Sequence, residues 1–224
     1  MIDETLLPTD PHLRRQLAER GFAYQRLEWL GDSILDALIT TRLVSIEPTL
    51  ADPSLDWLHQ QRVGRASDTA LGLRGREAGL RGPQDLVADT VEALIGAAFC
   101  EGRWRRANEV AGRTALAGLD AGMPELRGGL GEAARRSRLA WIGEAVIEAA
   151  AAIHLHEREP DLDEGGLTRA RARLTAVRTV ESRSAEVWPG LQRPSIRFVR
   201  AELGDAALHD GVPTAVLLAS DVLG

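Results

Sequence analysis

One stretch constrains this chain more than any other: Tyr24-Gln25-Arg26-Leu27-Glu28-Trp29-Leu30-Gly31-Asp32-Ser33-Ile34-Leu35-Asp36. Leu27, Leu30, Ile34 and Leu38 recur at helical spacing, which predicts a helix with one apolar stripe. Glu28 and Asp32 stand one turn apart, so both carboxylates project from the edge of that stripe. A second segment, Ala88-Asp89-Thr90-Val91-Glu92-Ala93-Leu94-Ile95-Gly96-Ala97, repeats the arrangement. Its stripe is Val87, Val91, Leu94 and Ala98, flanked by Asp89 and Glu92 at i, i+3. Gly31 and Gly96 carry no side chain and would let the two helices approach closely. Helices built this way can meet and enclose a divalent cation. Four acidic oxygen donors suit Mg²⁺ or Mn²⁺, and such sites serve phosphodiester chemistry.

The second half of the chain echoes the first. Arg138-Leu139-Ala140-Trp141-Ile142-Gly143-Glu144 lines up with Arg26-Leu27-Glu28-Trp29-Leu30-Gly31-Asp32 at an offset of 112 residues, the spacing from Gly31 to Gly143. Pro160-Asp161-Leu162 matches Pro48-Thr49-Leu50 at that offset, and Leu167 matches Leu55. A register held this long points to an internal duplication. Two domains are expected, 1–120 and 121–224. The linker falls on Gly118-Leu119-Asp120-Ala121-Gly122-Met123-Pro124, with further punctuation at Gly128, Gly129 and Gly131.

Both acidic segments resemble the ribonuclease III family. The first is similar to its signature as worded in Dicer-type domains, where Tyr-Gln precedes Arg-Leu-Glu. The second is similar to the family's Ala-Asp-x-x-Glu-Ala-Leu-Ile-Gly-Ala helix. Pro160-Asp161-Leu162-Asp163-Glu164-Gly165-Gly166-Leu167-Thr168-Arg169 resembles the family's Asp-Glu-Gly-x-Leu-Ser-x-x-Arg stretch. The resemblance implies an all-α fold of two tandem ribonuclease III-like domains that pair about a pseudo-two-fold axis. It implies metal-dependent endonucleolytic hydrolysis of double-stranded RNA, with Glu28, Asp32, Asp89 and Glu92 as catalytic metal ligands and Mg²⁺, or Mn²⁺, as cofactor. Glu164 would contribute across the domain interface.

In repeat 2 the position of Glu28 is Ala140 and that of Asp32 is Glu144. Ala219-Ser220-Asp221-Val222-Leu223-Gly224 reads as a cut-short second motif, with Asp221 at the place of Asp89 and Gly224 at that of Glu92. Repeat 2 thus reads as degenerate, one half of an internal pseudo-dimer or an appendage on a homodimer.

Charge cuts against an RNA enzyme. The net charge is −6, and neither half is basic. Phosphate affinity comes largely from positive charge. A helper RNA-binding partner would fit, because the sequence leaves no room for a double-stranded-RNA-binding domain. All 27 basic residues are arginines, which fits codon bias. RNA-contact candidates are Arg103, Arg105 and Arg106, then Arg135 and Arg136, then Arg169 and Arg173. Cys100, the only cysteine, reads as a buried thiol, so no intrachain disulfide forms. No signal peptide and no apolar run of membrane-spanning length is visible, which makes a cytoplasmic protein the expectation. Zinc, P-loop and nucleophile-elbow patterns are missing. Two other readings stay open: a non-catalytic RNA-binding or ribosome-associated module, and a repurposed enzyme of the same fold.

Helices are expected near 11–20, 25–44, 54–63, 67–78, 84–100 and 103–118, then near 131–154, 166–175, 178–187 and from about 214. Asp52 or Ser54 would cap the helix near 54, and Thr168 would cap, or lie in the first turn of, its counterpart. The alternating run Ser195-Ile196-Arg197-Phe198-Val199-Arg200 reads as the one plausible short strand.

Overall fold

The structure, a computed structural model, describes residues 4–46, 55–117, 119, 131–190 and 194–224. The described residues are helical, with no strand among them. A 3-10 turn, Glu4–Leu6, leads into α1 (Pro11–Glu19), α2 (Phe22–Ile46), α3 (Leu55–Ala66), α4 (Asp68–Glu77) and α5 (Gln84–Arg113). Then come α6 (Glu132–Arg158), α7 (Glu164–Leu174), α8 (Val177–Val187), α9 (Ile196–His209) and α10 (Val212–Leu223). The all-α expectation holds. The chain divides into two compact units, residues 1–39 with 59–120, and residues 40–58 with 121–224.

Local chemistry sets the helix starts. Asp10 caps α1 by accepting from the His12 amide at 2.7 Å, with Pro11 at the first helical position. Ser67 caps α4, Asp163 caps α7 and Ser195 caps α9 in the same way. Thr168 therefore lies inside α7 and is not its cap. Asp52, Ser54 and most of the expected linker, residues 118 and 120–130, fall outside the described residues. The break expected between 100 and 103 is a kink in one helix, at Gly102 and Arg103, whose φ of 52° is left-handed.

The strand expectation fails. Residues 196–209 form α9, which buries Val199, Leu203, Gly204, Ala207 and Leu208. That three-and-four spacing over the whole segment, begun by a serine cap, outweighs six residues of alternation. Cys100 is also corrected: it is exposed, on the side of α5 away from its stripe.

In the first unit, the predicted stripes are core. Leu27, Leu30 and Ile34 are almost fully buried, as are Val87, Val91, Leu94 and Ala98. Leu13 and Leu17 of α1 pack on Tyr24, Leu27, Ala93 and Ala97. In the second unit α6 packs along α9, and α10 lies against both. Trp29 is buried, whereas Trp141 is only half-buried, so the two tryptophans do not fill equal core sites.

Candidate active site

The crossing of α2 and α5 positions the acids. A Cβ on Gly31 would lie 1.9 Å from the Glu92 carbonyl oxygen, and one on Gly96 would lie 2.0 Å from that of Leu27. Any side chain at either place would collide with backbone, so only glycine permits this approach. The contact seats Glu92 directly beside the helix that carries Glu28 and Asp32.

Electrostatics records the consequence. Burial pushes the Glu92 carboxyl up from 4.5 to about 9, reinforced by Asp32, Glu28, Asp89 and Asp68. Asp89 is also raised, first by burial and then by Asp68 and Asp85, against a lowering pull from Arg20. Glu28, Asp89 and Glu92 are half-buried, and Asp32 is exposed. The crossing thus gathers the four expected acids into mutual electrostatic reach. Their oxygens do not close into a cage: among the described residues, no group of three His, Cys, Asp or Glu side chains is arranged to hold a metal ion. A divalent cation among these acids would reverse the sign of the repulsion that raises Glu92. The donor set is all carboxylate, which fits a hard cation such as Mg²⁺ or Mn²⁺.

Residues not picked out from the sequence frame the acids. Arg20, at the left-handed end of α1, donates to the Thr90 hydroxyl at 2.6 Å and to the Leu86 carbonyl at 3.2 Å. Its guanidinium stands 5.3 Å from the centre of the Tyr24 ring. Burial raises the Tyr24 hydroxyl's pKa, and Glu28 and Asp89 add to the rise. Asp68, in the first turn of α4, adds a fifth negative charge. Tyr24 lies within the signature and was legible there. Arg20 and Asp68 come from separate helices, and no spacing rule points to them.

The arginine candidates divide. Arg106 binds Glu101 at 3.6 Å, Glu109 at 3.4 Å and the Thr5 carbonyl at 2.6 Å, so it fastens the N-terminal segment. Arg105 pairs with Glu109, Arg135 with Asp205 and Arg136 with Glu132. Arg103 is exposed and stands 5.2 Å from the Phe99 ring centre. Arg169 and Arg173 are exposed on α7, and Glu164 is exposed in its first turn.

The second unit repeats the crossing. A Cβ on Gly143 would lie 1.8 Å from the Arg200 carbonyl oxygen, and one on Gly204 would lie 1.9 Å from that of Leu139. Gly143 stands for Gly31 and Gly204 for Gly96, so α9 is the counterpart of α5. The expected matches of Asp221 to Asp89 and Gly224 to Glu92 are therefore wrong. The glycine contacts put Arg197 at the place of Asp89 and Arg200 at that of Glu92. One acid of the set, Glu144, remains in the second unit.

Fold and site together define an all-helical protein whose first unit gathers carboxylates at a glycine-tight helix crossing. No family model matches the chain. Curated proteins do. Ribonuclease 3 of Thermobifida fusca is 36% identical over 121 residues, covering 45% of this chain and 50% of the relative. Ribonuclease 3 of Streptomyces coelicolor is 32% identical over 121 residues, covering 45% and 44%. Ribonuclease 3 of Leifsonia xyli subsp. xyli is 31% identical over 125 residues, covering 45% and 52%. The chain is related to the ribonuclease III family, and it spans about half the length of these relatives. No helix among the described residues is long and apolar enough to cross a membrane.

Proposed function

We propose that the chain is a metal-dependent endoribonuclease that hydrolyses phosphodiester bonds of double-stranded RNA at one live site. Glu28, Asp32, Asp89 and Glu92 would hold Mg²⁺ or Mn²⁺. The observation that carries this reading is the glycine-tight crossing that seats Glu92 among the other acids and pushes its carboxyl up to about 9. A scaffold gains nothing from half-buried, mutually repelling carboxylates. When bound, a divalent cation there would polarise the phosphoryl group and lower the pKa of water.

The chain's own residues do the rest. Gly31 and Gly96 fix the spacing of the helices that carry the acids. Glu92 holds a proton while no divalent cation is bound, and would give it up when one arrives. Arg20, tied to Thr90 and Leu86, steadies the first turn of α5 beside Asp89. Double-stranded RNA would be told from DNA by its 2′-hydroxyls and A-form groove.

Under the same reading, Arg103, Arg169 and Arg173 contact phosphates, with Arg105, Arg106, Arg135 and Arg136 as further candidates. Glu164 assists the reaction, and residues 1–120 and 121–224 act as tandem domains, paired internally or across a homodimer. A cytoplasmic setting and a helper RNA-binding partner complete the proposal. The acidic pI of about 5.5 is the reason to expect that help.

The test is cleavage of a labelled RNA duplex with Mg²⁺ or Mn²⁺, comparing the wild type with Glu92→Gln. Metal-dependent cutting that is lost in the variant supports the enzyme. Binding without cutting makes the chain an RNA-binding module, and neither result makes it an enzyme for another substrate. Glu164→Ala should slow cutting without unfolding the chain.

A further inference from the structure

The two units share a helix crossing but differ in what lies on it. In the first unit α1 packs there: Leu13 and Leu17 rest on Tyr24, Leu27, Ala93 and Ala97. The glycine contacts carry those four places into the second unit as Arg136, Leu139, Ala201 and Asp205. All four line one cavity of about 740 Å³. The place that α1 fills in the first unit is thus open space among the described residues of the second.

The lining says what kind of guest fits. Leu139 and Ala201 repeat the floor made by Leu27 and Ala93. The other two places carry ion pairs: Asp205 holds Arg135 at 2.8 Å, and Arg136 holds Glu132 at 2.7 Å. Those four charges cancel, so the walls offer an anion nothing that the paired acids do not take back. An apolar face can cover the floor and leave the charged ends of the walls in water.

The sequence supplies such a face. Pro-x-Leu-Arg-x-x-Leu occurs twice, each time shortly ahead of a signature helix. Pro11-His12-Leu13-Arg14-Arg15-Gln16-Leu17 precedes α2, and Pro124-Glu125-Leu126-Arg127-Gly128-Gly129-Leu130 precedes α6. The copies are 113 residues apart, from Pro11 to Pro124, one more than the 112 between Gly31 and Gly143. The second copy lies outside the described residues, in the same compact unit as the cavity. It ends beside that cavity: Gly131 is the N-cap of α6, and Glu132 is part of the lining.

We propose that Leu126 and Leu130 occupy this cavity as Leu13 and Leu17 occupy its counterpart. Leucines four residues apart share one face of a helix, as they do in α1. The attachment at Gly131 keeps the segment next to its place, so little chain entropy is lost on docking. Gly128 and Gly129 stand where α1 has Arg15 and Gln16, between the two leucines. They weaken the helix, so the leucines supply the hold. The duplication then begins ahead of the signature helix and includes α1.

The test is protection of a thiol in the full chain. Cys100, the only cysteine, is exposed and is first replaced as Cys100→Ser. Ala201→Cys then sets a thiol on the half-buried floor of the cavity. Adding Leu126→Asp/Leu130→Asp should speed its reaction with a maleimide by on the order of tenfold or more, because two buried leucines no longer hold the cover. Equal rates with and without the two aspartates overturn the inference. Protection that grows with protein concentration puts a second copy in the cavity and also overturns it. Circular dichroism confirms that the variants keep their helices. Should the aspartate variant unfold, hydrogen exchange of wild type decides. Amides of residues 126–130 should exchange well below the rate of a free peptide, and exchange at that rate overturns the inference.

Discussion

Replacing Glu92 with Gln should inactivate the protein and stabilise it in the same step. The Glu92 carboxyl titrates near 4.5 when unperturbed and is pushed up to about 9 in the fold, by burial first and then by Asp32, Glu28, Asp89 and Asp68. Between those two values the native state binds a proton that the unfolded state lacks. Stability therefore falls as pH rises, by up to about 1.4 kcal/mol per pH unit. Glu92's contribution is fully present below 4.5 and is lost by about 9. From pH 6 to pH 8 the ceiling is about 2.7 kcal/mol, and solvent screening of this half-buried cluster brings it to about 1–2 kcal/mol. Glutamine has the shape of the protonated acid and cannot ionise. Glu92→Gln should then gain roughly 1–2 kcal/mol on wild type across that interval, about 5–10 °C of melting temperature for a unit of this size. Calorimetry at the two pH values, without divalent ion, reads the difference directly. Added Mg²⁺ should lift wild type more than the variant at pH 8. Parallel stability curves for the two proteins would mean that Glu92 ionises like a surface carboxylate, and the electrostatic argument for the site would fail.

The crossing and the arginine face give two more expectations. Gly31→Ala would set a Cβ 1.9 Å from a carbonyl oxygen and Gly143→Ala would set one at 1.8 Å, so each should force its helices apart and cost about 3 kcal/mol or more in urea melts. Gly64→Ala, with nothing within 4 Å, is the control and should be neutral or slightly stabilising; equal losses in all three would refute the packing argument. Arg169→Ala/Arg173→Ala, on the exposed face of α7, should weaken duplex binding at low salt and flatten the salt dependence by roughly two phosphate contacts, while an unchanged slope removes α7 from the RNA interface.

The acidic helices were legible because everything that defines them is local. The stripe, the carboxylates beside it and the single glycine at the contact all fall within a few turns of one helix, where spacing determines facing. What joins those helices was not local. Arg20 reaches the site from the end of α1, and Asp68 from the start of α4. Nothing in the spacing along α2 or α5 betrays either. Cys100 was misjudged because it ends an apolar run, yet the run's stripe has turned away from it by that point. At α9, alternation over Ile196, Arg197 and Phe198 hid a helical period that becomes visible only when Leu203, Ala207 and Leu208 are counted with Val199.

The repeat shows why a fixed register misled. It holds at 112 residues for α2 and α6, where Gly31 and Gly143 and also Leu27 and Leu139 occupy matching contacts. It slips at the next helix. Arg62 pairs with Asp36 in the first unit, and Arg171 pairs with Glu148 in the second at 3.0 Å. Asp36 and Glu148 keep the old offset, but Arg62 and Arg171 are 109 apart, as are the fully buried Leu58 and Leu167. Leu167 thus answers to Leu58, and not to Leu55. At α5 and α9 the glycine contacts give 108, the spacing from Gly96 to Gly204. The direction of this drift follows from where residues can be lost. Removing one residue inside a helix turns every later side chain by about 100°, which would swing a stripe out of the core. Removing one from a connection costs little. The crossings therefore keep their geometry while the numbering between them shortens, so an offset of 112 carries Asp89 to Ala201, four residues beyond Arg197, and the likeness of wording that pointed to Asp221 in α10 lies 132 residues on. Matching by contact instead finds Arg197 and Arg200 in place of Asp89 and Glu92, with Arg200 paired to Glu144 at 2.9 Å, so the second crossing is not acidic as the first is.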